Sequence, residues 1–565
     1  MAETLISPGA LTRENDLSQV TQQPVTVGAA VIGPTVKGPV EVPTLVTTYN
    51  DFVNKFGTTL VSGSDEFSFM TSITAYNYFQ NGGTSLLVAR VVDSTYTAAT
   101  SSQIDGSGSA TDVLTLETIA EGADQNSEST EGTNASLPSG SSDNLRFEIT
   151  TPDTASGTFS LLVRRGDDLS NDKVILETWT NLSLDPKADN FVSRVIGDQK
   201  ETYSSSNNQV EVTGAYPNRS RYIRVCSVTT TPDYFDNNGD AKAEYTSSIP
   251  TAASGTFGGA TGTVATGAKF YDEVSSSDIQ GLDPADYNNM ISLLANKDDY
   301  QYNILSLPGL TLQNASSQVT TAANNCKERG DAILLVDPID YTNGTLAGAV
   351  TQASAVDNSY AAAYWPWVQI IDPATGKQVW VPAATLVSGV YAFNDSTRAA
   401  WFAPAGLNRG GLSLVTRAQF KLSSANRDTL YTGNINPIAT FPNTGVVVYG
   451  QKTLQKKSTA LDRVNVRRLL IELKSYIGQV ANTLVFEQNT QATRNNFLAQ
   501  VNPYLESVQQ RQGLYAFKVQ MDDTNNTADV IDRNQLVGQV FLQPTRTAEF
   551  ILLDFNVLPT GATFE

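Results

Sequence analysis

The sequence predicts a multidomain protein of the α+β or α/β class: a mixed α/β core built from the N- and C-terminal parts, an inserted all-β surface domain of sandwich or barrel type, and extended terminal arms. Helix and strand patterns alternate on both sides of residues 93–277. Within those limits, short apolar runs alternate with Ser, Thr, Gly, Asp and Asn. Because a chain of 565 residues is too long for one core, several domains are expected.

The N-terminal part is predicted to be an extended arm followed by an α/β unit. Residues 1–24 contain Pro8, Gly9 and Pro24 and few large apolar side chains, which favours an arm. Residues 25–92 form the first part of the core, and Gly57 and Asn81-Gly82 end its helices. Its predicted elements are a strand at 25–32, helices at 48–57 and 67–79, and a buried strand at 85–92.

The middle of the chain is predicted to form a domain that is inserted into this core. Residues 93–277 form the β domain, and the Gly- and Thr-rich stretch 255–267 is its return linker. Its apolar runs are 113–116, 145–149, 159–163, 174–176, 210–212 and 222–228.

An α/β domain then spans residues 278–450, and its strand–helix order argues for a partly parallel sheet. We predict helices at 287–294, 313–329 and 344–357, and strands at 302–307, 332–336 and 360–371. Residues 451–543 form a C-terminal domain with helices at 458–485 and 489–509, the second interrupted by Pro503, and strands at 514–521 and 536–543.

The last segment, residues 544–565, carries a strand pattern at 550–557 that is apolar on both faces. A hydrophobic strand with an open edge at a chain end is an aggregation hazard unless another strand pairs with it. We therefore predict that a neighbouring copy of the protein covers this strand. Its predicted exchange residues are Phe550, Ile551, Leu552, Leu553, Phe555 and Val557.

Composition excludes several functional classes. The net charge of −20 argues against nucleic-acid binding through a basic surface. Because the chain has no histidine, Ser-His and Cys-His nucleophiles and His-ligated zinc are excluded, and we expect neither an enzyme nor a cofactor. Cys226 and Cys326 are too far apart for a metal knuckle and are expected to be buried thiols. The N-terminus lacks the pattern of a signal peptide, and no apolar run is long enough to insert into a membrane.

Three short motifs are better explained as turns or linkers than as binding sites. Residues 262–269 resemble a phosphate-binding loop, but Ala268 separates the second glycine from Lys269. Residues 236–240 lack the glycine position and the terminal glutamate of a calcium loop. Residues 522–526 could hold a cation, but a solvated turn is the simpler interpretation.

One segment is strongly basic, although the chain as a whole is acidic. Residues 451–474 contain seven basic side chains and only two acidic ones. The pattern indicates either a solvated helix face or a docking face for an acidic partner, and the sequence leaves both open.

Many segments resemble the contractile tail sheath proteins of bacteriophages. They include Ile-Ser-Pro-Gly at 6–9, Trp-Phe-Ala-Pro-Ala-Gly at 401–406 and Arg-Thr-Ala-Glu-Phe-Ile at 546–551. The other matching segments are 33–39, 52–57, 76–82, 87–92, 364–382, 389–392, 408–410, 464–469, 486–489, 513–518 and 531–534. The segment 93–277 carries no such match, and insertions at this place vary within that family.

The resemblance implies a structural protein of the virion, assembled in the bacterial cytoplasm. Such subunits stack as six-fold rings in a helical polymer around a tail tube, contact baseplate and tail terminator proteins, and contract without nucleotide hydrolysis to drive the tube through the host envelope. Terminal arms add strands to neighbouring copies, which assigns strand exchange to Leu5 and Ile6 as well as to residues 550–557. Linkers at 8–24 and 544–547 would let the bodies rotate. The helix that faces the tube would present Lys457, Arg463, Arg467, Arg468 and Lys474.

Other interpretations of the sequence stay open. A sheath from a phage-derived bacteriocin or a type VI secretion system is a second hypothesis, although the length of the chain and the large insertion favour a phage. The Ser/Thr-rich insertion also suggests an extracellular adhesin or glycan-binding protein, against which the α/β C-terminal half argues. An enzyme that uses carboxylates is a fourth class, but no acidic pair distinguishes itself.

Overall fold

The computed structural model describes residues 28–62, 65–93, 95–127, 132, 136–262, 273–442 and 444–551. Of the predicted exchange residues, Phe550 and Ile551 lie within this part of the chain. The others lie outside the described residues, namely Leu5, Ile6, Leu552, Leu553, Phe555 and Val557. The predicted arm 1–24 also lies outside them.

The N-terminal part forms strands and helices close to the predicted positions. The apolar run of β1 is buried along its whole length, as a central strand requires. The first helix begins after Thr48, whose hydroxyl accepts a hydrogen bond from the Asp51 N–H, and ends at Gly57 with φ +74°. The elements are β1 (Ala29–Gly33), β2 (Thr44–Val46), α1 (Tyr49–Phe56), β3 (Thr59–Ser62), β4 (Asp65–Ser68), α2 (Met70–Gln80) and β5 (Leu86–Arg90).

Residues 98–258 contain a seven-stranded antiparallel sheet with a hydrophobic core of its own. The elements are β6 (Ala98–Ser101), β7 (Asp105–Gly106), β8 (Ser109–Asp112), β9 (Leu114–Glu121), β10 (Leu145–Asp153), β11 (Thr158–Arg165), β12 (Ile175–Ser183), α3 (Val192–Ile196), β13 (Lys200–Ser204), β14 (Gln209–Thr213), β15 (Ile223–Val228), α4 (Ala243–Thr246) and β16 (Ala253–Gly258). The order in the sheet is β12-β11-β10-β16-β6-β9-β15. The buried guanidinium of Arg90 joins this part to the first one by donating to the carbonyls of Gly38 and Glu121, both at 2.6 Å.

The central part completes the sheet begun by the N-terminal strands. Its elements are α5 (Asn288–Leu293), β17 (Ile304–Thr311), α6 (Ser316–Arg329), β18 (Ile333–Asp337), α7 (Leu346–Ser354), β19 (Ala361–Trp365), β20 (Val368–Ile371), β21 (Gln378–Val381), α8 (Ala383–Thr397), β22 (Val415–Ala418), α9 (Ser424–Thr432), β23 (Ile435–Phe441) and β24 (Gly445–Val448). The eight-stranded sheet has the order β2-β5-β1-β17-β18-β19-β23-β24. It is parallel from β5 to β23 and antiparallel at both ends. The predicted mixed α/β core is thus confirmed.

The C-terminal part has a separate hydrophobic cluster between two long helices and a hairpin. Its elements are α10 (Val464–Asn482), α11 (Gln491–Gln510), β25 (Leu514–Gln520), α12 (Ala528–Asp532) and β26 (Gln539–Pro544). The tyrosine rings of Tyr476 and Tyr504 stack with centroids 3.8 Å apart where the two helices meet. None of the helices in the described ranges is long and apolar enough to cross a membrane.

Three local predictions were wrong. The predicted strand 360–371 is two strands in different sheets, β19 and β20, separated by Pro366, which has no N–H to donate to a ladder. Helix α11 continues through Pro503, because its buried residues Val501 and Leu505 hold it against α10. Cys226 is exposed, since a register shift in β15 interrupts the alternation of buried and exposed side chains there.

Asp337 is a buried carboxyl at the end of β18 that makes stability depend on pH. It accepts a hydrogen bond from the Ala384 N–H at 3.0 Å, but burial outweighs this contact and raises its pKa to about 7. Between about pH 4 and pH 7 the folded protein therefore holds a proton that the unfolded chain releases, so the contribution of Asp337 to stability falls as pH rises. We expect Asp337→Asn to raise the melting temperature at pH 8 and to have little effect at pH 4.

Calorimetry of the two proteins at both pH values tests this expectation. Asp298→Asn is the control for a charge change on the surface, because Asp298 is exposed. A melting temperature for D337N at pH 8 equal to or below that of the parent would contradict the expected penalty.

Candidate assembly surface

The hairpin of β25 and β26 is a two-stranded antiparallel sheet with one covered face. Phe517, Val519, Val540 and Leu542 alternate along the strands and pack on the cluster between α10 and α11. The opposite face exposes Phe541 to solvent, and the irregular start of β25 exposes Tyr515. A small sheet is thus fixed on a helical support while one face stays open.

Both outer edges of this hairpin are open within the described part of the chain, because no third strand pairs with β25 or β26 there. Open edges present rows of backbone N–H and C=O groups that an extended segment can join. Two strands alone make a marginal sheet, so an added strand would also stabilise the hairpin. The open edges of the hairpin can therefore accept an extended segment as an additional β-strand.

The residues that follow β26 are held against the protein rather than free. The Thr545 N–H donates to the Gly513 carbonyl at 3.2 Å, and its hydroxyl donates to the Gln512 carbonyl at 2.7 Å. Further along, the Gln451 side-chain amide donates to the hydroxyl of Thr547. The prediction of a flexible linker at 544–547 is therefore wrong for this conformation, because hydrogen bonds fix the segment.

Glu549 ends this held segment. One carboxylate oxygen accepts hydrogen bonds from Arg463 Nε at 2.7 Å and Gln451 Nε2 at 3.0 Å, and the other accepts from the Tyr431 hydroxyl at 2.6 Å. Phe550 and Ile551 follow directly, with 84% and 76% of their surface exposed, and neither is in a strand. The two described residues of the predicted exchange strand thus leave the body of the subunit unpaired in a sheet.

Arg467 and Arg468 do not form the basic docking surface that the sequence suggested. Only 4% and 3% of their surface is exposed. Arg467 stacks on the ring of Tyr360 at 4.0 Å, and Arg468 lies 4.6 Å from the ring centre of Tyr391. Their charges cannot face a partner in this structure, because the start of α10 is enclosed by α8 and by the residues before β19.

Arg468 is also neutralised by an ion pair. Its two terminal nitrogens contact the two carboxylate oxygens of Asp395 at 2.8 and 2.5 Å. Burial by itself would lower the pKa of Arg468, but Asp395 more than compensates and raises it. Arg463 is only partly buried, and its carboxylate partners are Glu549 and Asp462. The three arginines thus serve contacts within the chain.

Lys457 and Lys474 are the two predicted basic residues that remain exposed. Lys474 lines a cleft of about 750 Å³ between the central part and α10. The lining of this cleft contains seven cationic and five acidic side chains, so it is a mixed rather than a basic surface. The burial of Arg467 and Arg468 could not be predicted from the sequence, because the residues that they contact lie far away along the chain. Those residues are Tyr360, Tyr391 and Asp395.

The described residues contain no group of three or more His, Cys, Asp or Glu side chains that could hold a metal ion. The turn at 522–526 is stabilised from within: the Asp522 carboxylate accepts from the Thr524 N–H at 2.9 Å, and Arg494 pairs with Asp523 at 2.8 Å. Its side chains thus serve the turn, in line with the simpler interpretation.

Comparisons with known proteins agree with this architecture. Residues 280–454 match the family model for the phage tail sheath protein central domain, and residues 456–557 match the phage tail sheath C-terminal domain. The chain is 38% identical over 226 residues to the tail sheath protein of Vibrio phage KVP40, covering 40% of this chain and 33% of the relative. It is 36% identical over 222 residues to the tail sheath protein of Enterobacteria phage T4, covering 39% and 34%.

The fold has a counterpart among solved structures. The crystal structure of a sheath tail protein from Listeria innocua is similar with a TM-score of 0.53 at 9% identity, covering 92% of this chain and 95% of that one. The matches to the curated relatives span about a third of the length of each relative. The two domain models, by contrast, run together through the central and C-terminal parts described above. Residues 280–454 and 456–557 therefore carry the central and C-terminal domains of the phage tail sheath family.

Proposed function

We propose that this protein is the structural subunit of a contractile sheath and that copies are linked by strand exchange. The observation that carries the proposal is that the hairpin of β25 and β26 has open edges, while Phe550 and Ile551 are exposed and lie in no strand. In the polymer, the segment that begins at Phe550 adds to the hairpin of a neighbouring copy. Main-chain hydrogen bonds supply affinity, and alternate apolar side chains fix the register.

The geometry of one molecule supports a polymer rather than a closed dimer. The donor segment starts beside the α9 and α10 contacts of Glu549, whereas the acceptor edges belong to the hairpin that packs on α11. Donor and acceptor are therefore different surfaces, and such head-to-tail contacts generate rings or helices. We propose rings of six copies that stack helically, with the N-terminal arm, including Leu5 and Ile6, adding a second link.

Contraction in this proposal uses energy stored in contacts between copies and no nucleotide. The sheath assembles around a tail tube in an extended state, contacts baseplate and tail terminator proteins at its ends, and shortens to drive the tube through the host envelope during genome delivery. Strand links survive the change because backbone pairing tolerates rotation of the attached bodies about short hinges.

The surface that faces the tube is proposed to include Lys457 and Lys474. These two exposed cations are the members of the basic set that can reach an acidic partner without unfolding α10. We also propose that residues 93–277 form a domain on the outer surface of the sheath, since that insertion has its own sheet and core. Assembly takes place in the host cytoplasm, and the final location is the tail of the virion.

Electron microscopy of the purified full chain tests the polymer directly. We expect hollow, striated cylinders, and we expect Phe541→Lys to raise the concentration needed for assembly by about tenfold, because it places a charge on the open face of the acceptor sheet. The matched control is Val212→Lys, which changes another exposed apolar residue, in the insertion. Monodisperse single subunits of the parent under all assembly conditions would contradict the proposal, as would equal assembly of F541K and the parent.

A further inference from the structure

Glu549 is hydrogen-bonded to its own subunit, and the proposed strand exchange by itself does not account for these contacts. We infer that Glu549 is a positioning residue that anchors the C-terminal arm to its own subunit, so that the arm pivots at Phe550 and not in the preceding segment 544–547. The inference rests on the proposed strand exchange, which requires an arm that leaves the subunit. It names the point from which the arm leaves.

The anchor gathers groups from three separate places in the chain. Tyr431 lies at the end of α9, Gln451 follows β24, and Arg463 is the residue immediately before α10. All three donate to the Glu549 carboxylate at 2.6 to 3.0 Å, and both of its oxygens are used. A carboxylate with three donors, one of them a guanidinium, is held in position and in orientation.

The partners of Glu549 are themselves fixed. Arg463 pairs with Asp462 at 3.1 Å, and its guanidinium lies 5.8 Å from the ring centre of Tyr431. Lys452 donates to the Tyr431 carbonyl at 2.7 Å, which holds the end of α9. Gln451 is buried and also donates to Thr547, so that one side chain holds two residues of the arm. The binding site for Glu549 thus belongs to the folded body of the subunit.

Electrostatics favour the ionised form of the anchor. Partial burial by itself would raise the pKa of Glu549, but the hydrogen bonds from Tyr431, Arg463 and Gln451 outweigh it and lower the pKa. The carboxylate is therefore charged at neutral pH, which is the form that the guanidinium of Arg463 stabilises.

The change in exposure at Glu549 locates the pivot. Thr545, Thr547 and Glu549 each contact the body, as alternate residues of an extended segment do. Phe550 is exposed, as Arg546 and Ala548 are, and the alternation stops at Ile551, which is strongly exposed where the pattern would place a contact with the body. An arm that is anchored at Glu549 starts from a defined position relative to the neighbouring copy. An arm released at Pro544 would be five residues longer, and its effective concentration at the neighbouring hairpin would be lower.

Spin labels on the full chain test where the arm becomes mobile. Each label is attached to Ala548→Cys or Ile551→Cys in a Cys226→Ser background, since Cys226 is exposed and Cys326 is buried. Ala548 is exposed, so a label fits there. Spectra are recorded below the assembly concentration, with size-exclusion chromatography as the check. We expect a slow label at 548 and a fast one at 551.

Removal of the anchor should then release position 548. Glu549→Gln is expected to make the label at 548 as fast as that at 551 and to speed tryptic cleavage after Arg546 by about tenfold, because charged hydrogen bonds are lost. Tyr431→Phe removes one donor and should have an intermediate effect. Glu506→Gln, an exposed glutamate on α11, is the matched control. Melting curves exclude a general loss of folding.

The outcomes separate this inference from the proposed function. A label at 548 that is already fast in the parent, or one that E549Q leaves slow, would overturn the anchor while strand exchange could still operate. Deletion of residues 550–565 removes the exchange segment and keeps the anchor, so a slow label at 548 in that variant supports the anchor even if the polymer forms by another route.

Discussion

Deleting residues 550–565 is expected to yield a folded subunit that no longer polymerises. The deletion starts after Glu549, so all contacts of the anchor remain, and the two described residues that it removes make no strand pairs in their own chain. Each lost link removes several backbone hydrogen bonds and buried apolar side chains. We expect a loss on the order of 4 kcal/mol per link, or about a thousand-fold in the concentration needed for assembly.

Sedimentation and negative-stain microscopy measure this loss, and circular dichroism checks that the subunit is folded. The matched control removes only residues 561–565, which follow the predicted strand and its short linker. That shorter deletion should assemble like the parent. Normal cylinders from the longer deletion would show that other surfaces link the copies and would refute strand exchange by the C-terminal arm.

Replacing Arg468 by methionine is expected to destabilise the C-terminal part strongly. The guanidinium is buried, pairs with both oxygens of Asp395 and lies over Tyr391. Removing one partner of a buried pair typically costs 3–5 kcal/mol, and we expect about 3 kcal/mol because the Asp395 side chain is partly exposed and can take up water. Urea unfolding followed by tryptophan fluorescence measures the change.

Two further variants show whether the effect arises from the ion pair. Lys474→Met removes an exposed cation from the same helix and should change stability by less than about 0.5 kcal/mol. The double variant Asp395→Leu with Arg468→Met replaces the pair by apolar side chains and should recover most of the loss. If R468M is as stable as the parent but fails to assemble on tubes, Arg468 belongs to a docking surface after all.

The alternation of strands and helices was largely predictable, because continuous apolar runs such as Ile333–Asp337 and Ala361–Trp365 have few alternatives to a buried strand. Boundaries were less predictable where one polar or proline residue separates two environments. Pro366 divides an apolar run between two sheets, whereas Pro503 leaves its helix intact, and the difference lies in which neighbours pack on each segment.

The open hairpin could be inferred in part. The apolar residues of β25 and β26 indicated strands, and the apolar pattern at 550–557 led to the prediction of a pairing partner. The anchor could not be inferred, because a single glutamate in a polar stretch has no pattern that names its donors. Tyr431 lies 118 residues away from Glu549 and Arg463 lies 86 residues away.

The amino-acid sequence by itself determined that the chain has a mixed α/β core, a long amphipathic helix in its C-terminal part and an apolar end, because periodicity and composition are local properties. Only the tertiary structure decided which basic side chains are exposed to solvent and can contact a partner. It buried Arg467 and Arg468, joined Arg463 to Glu549 and left Lys457 and Lys474 exposed. The physical reason is that the free energy of a charge depends on its solvent and its partners, and those are set by residues distant in the chain.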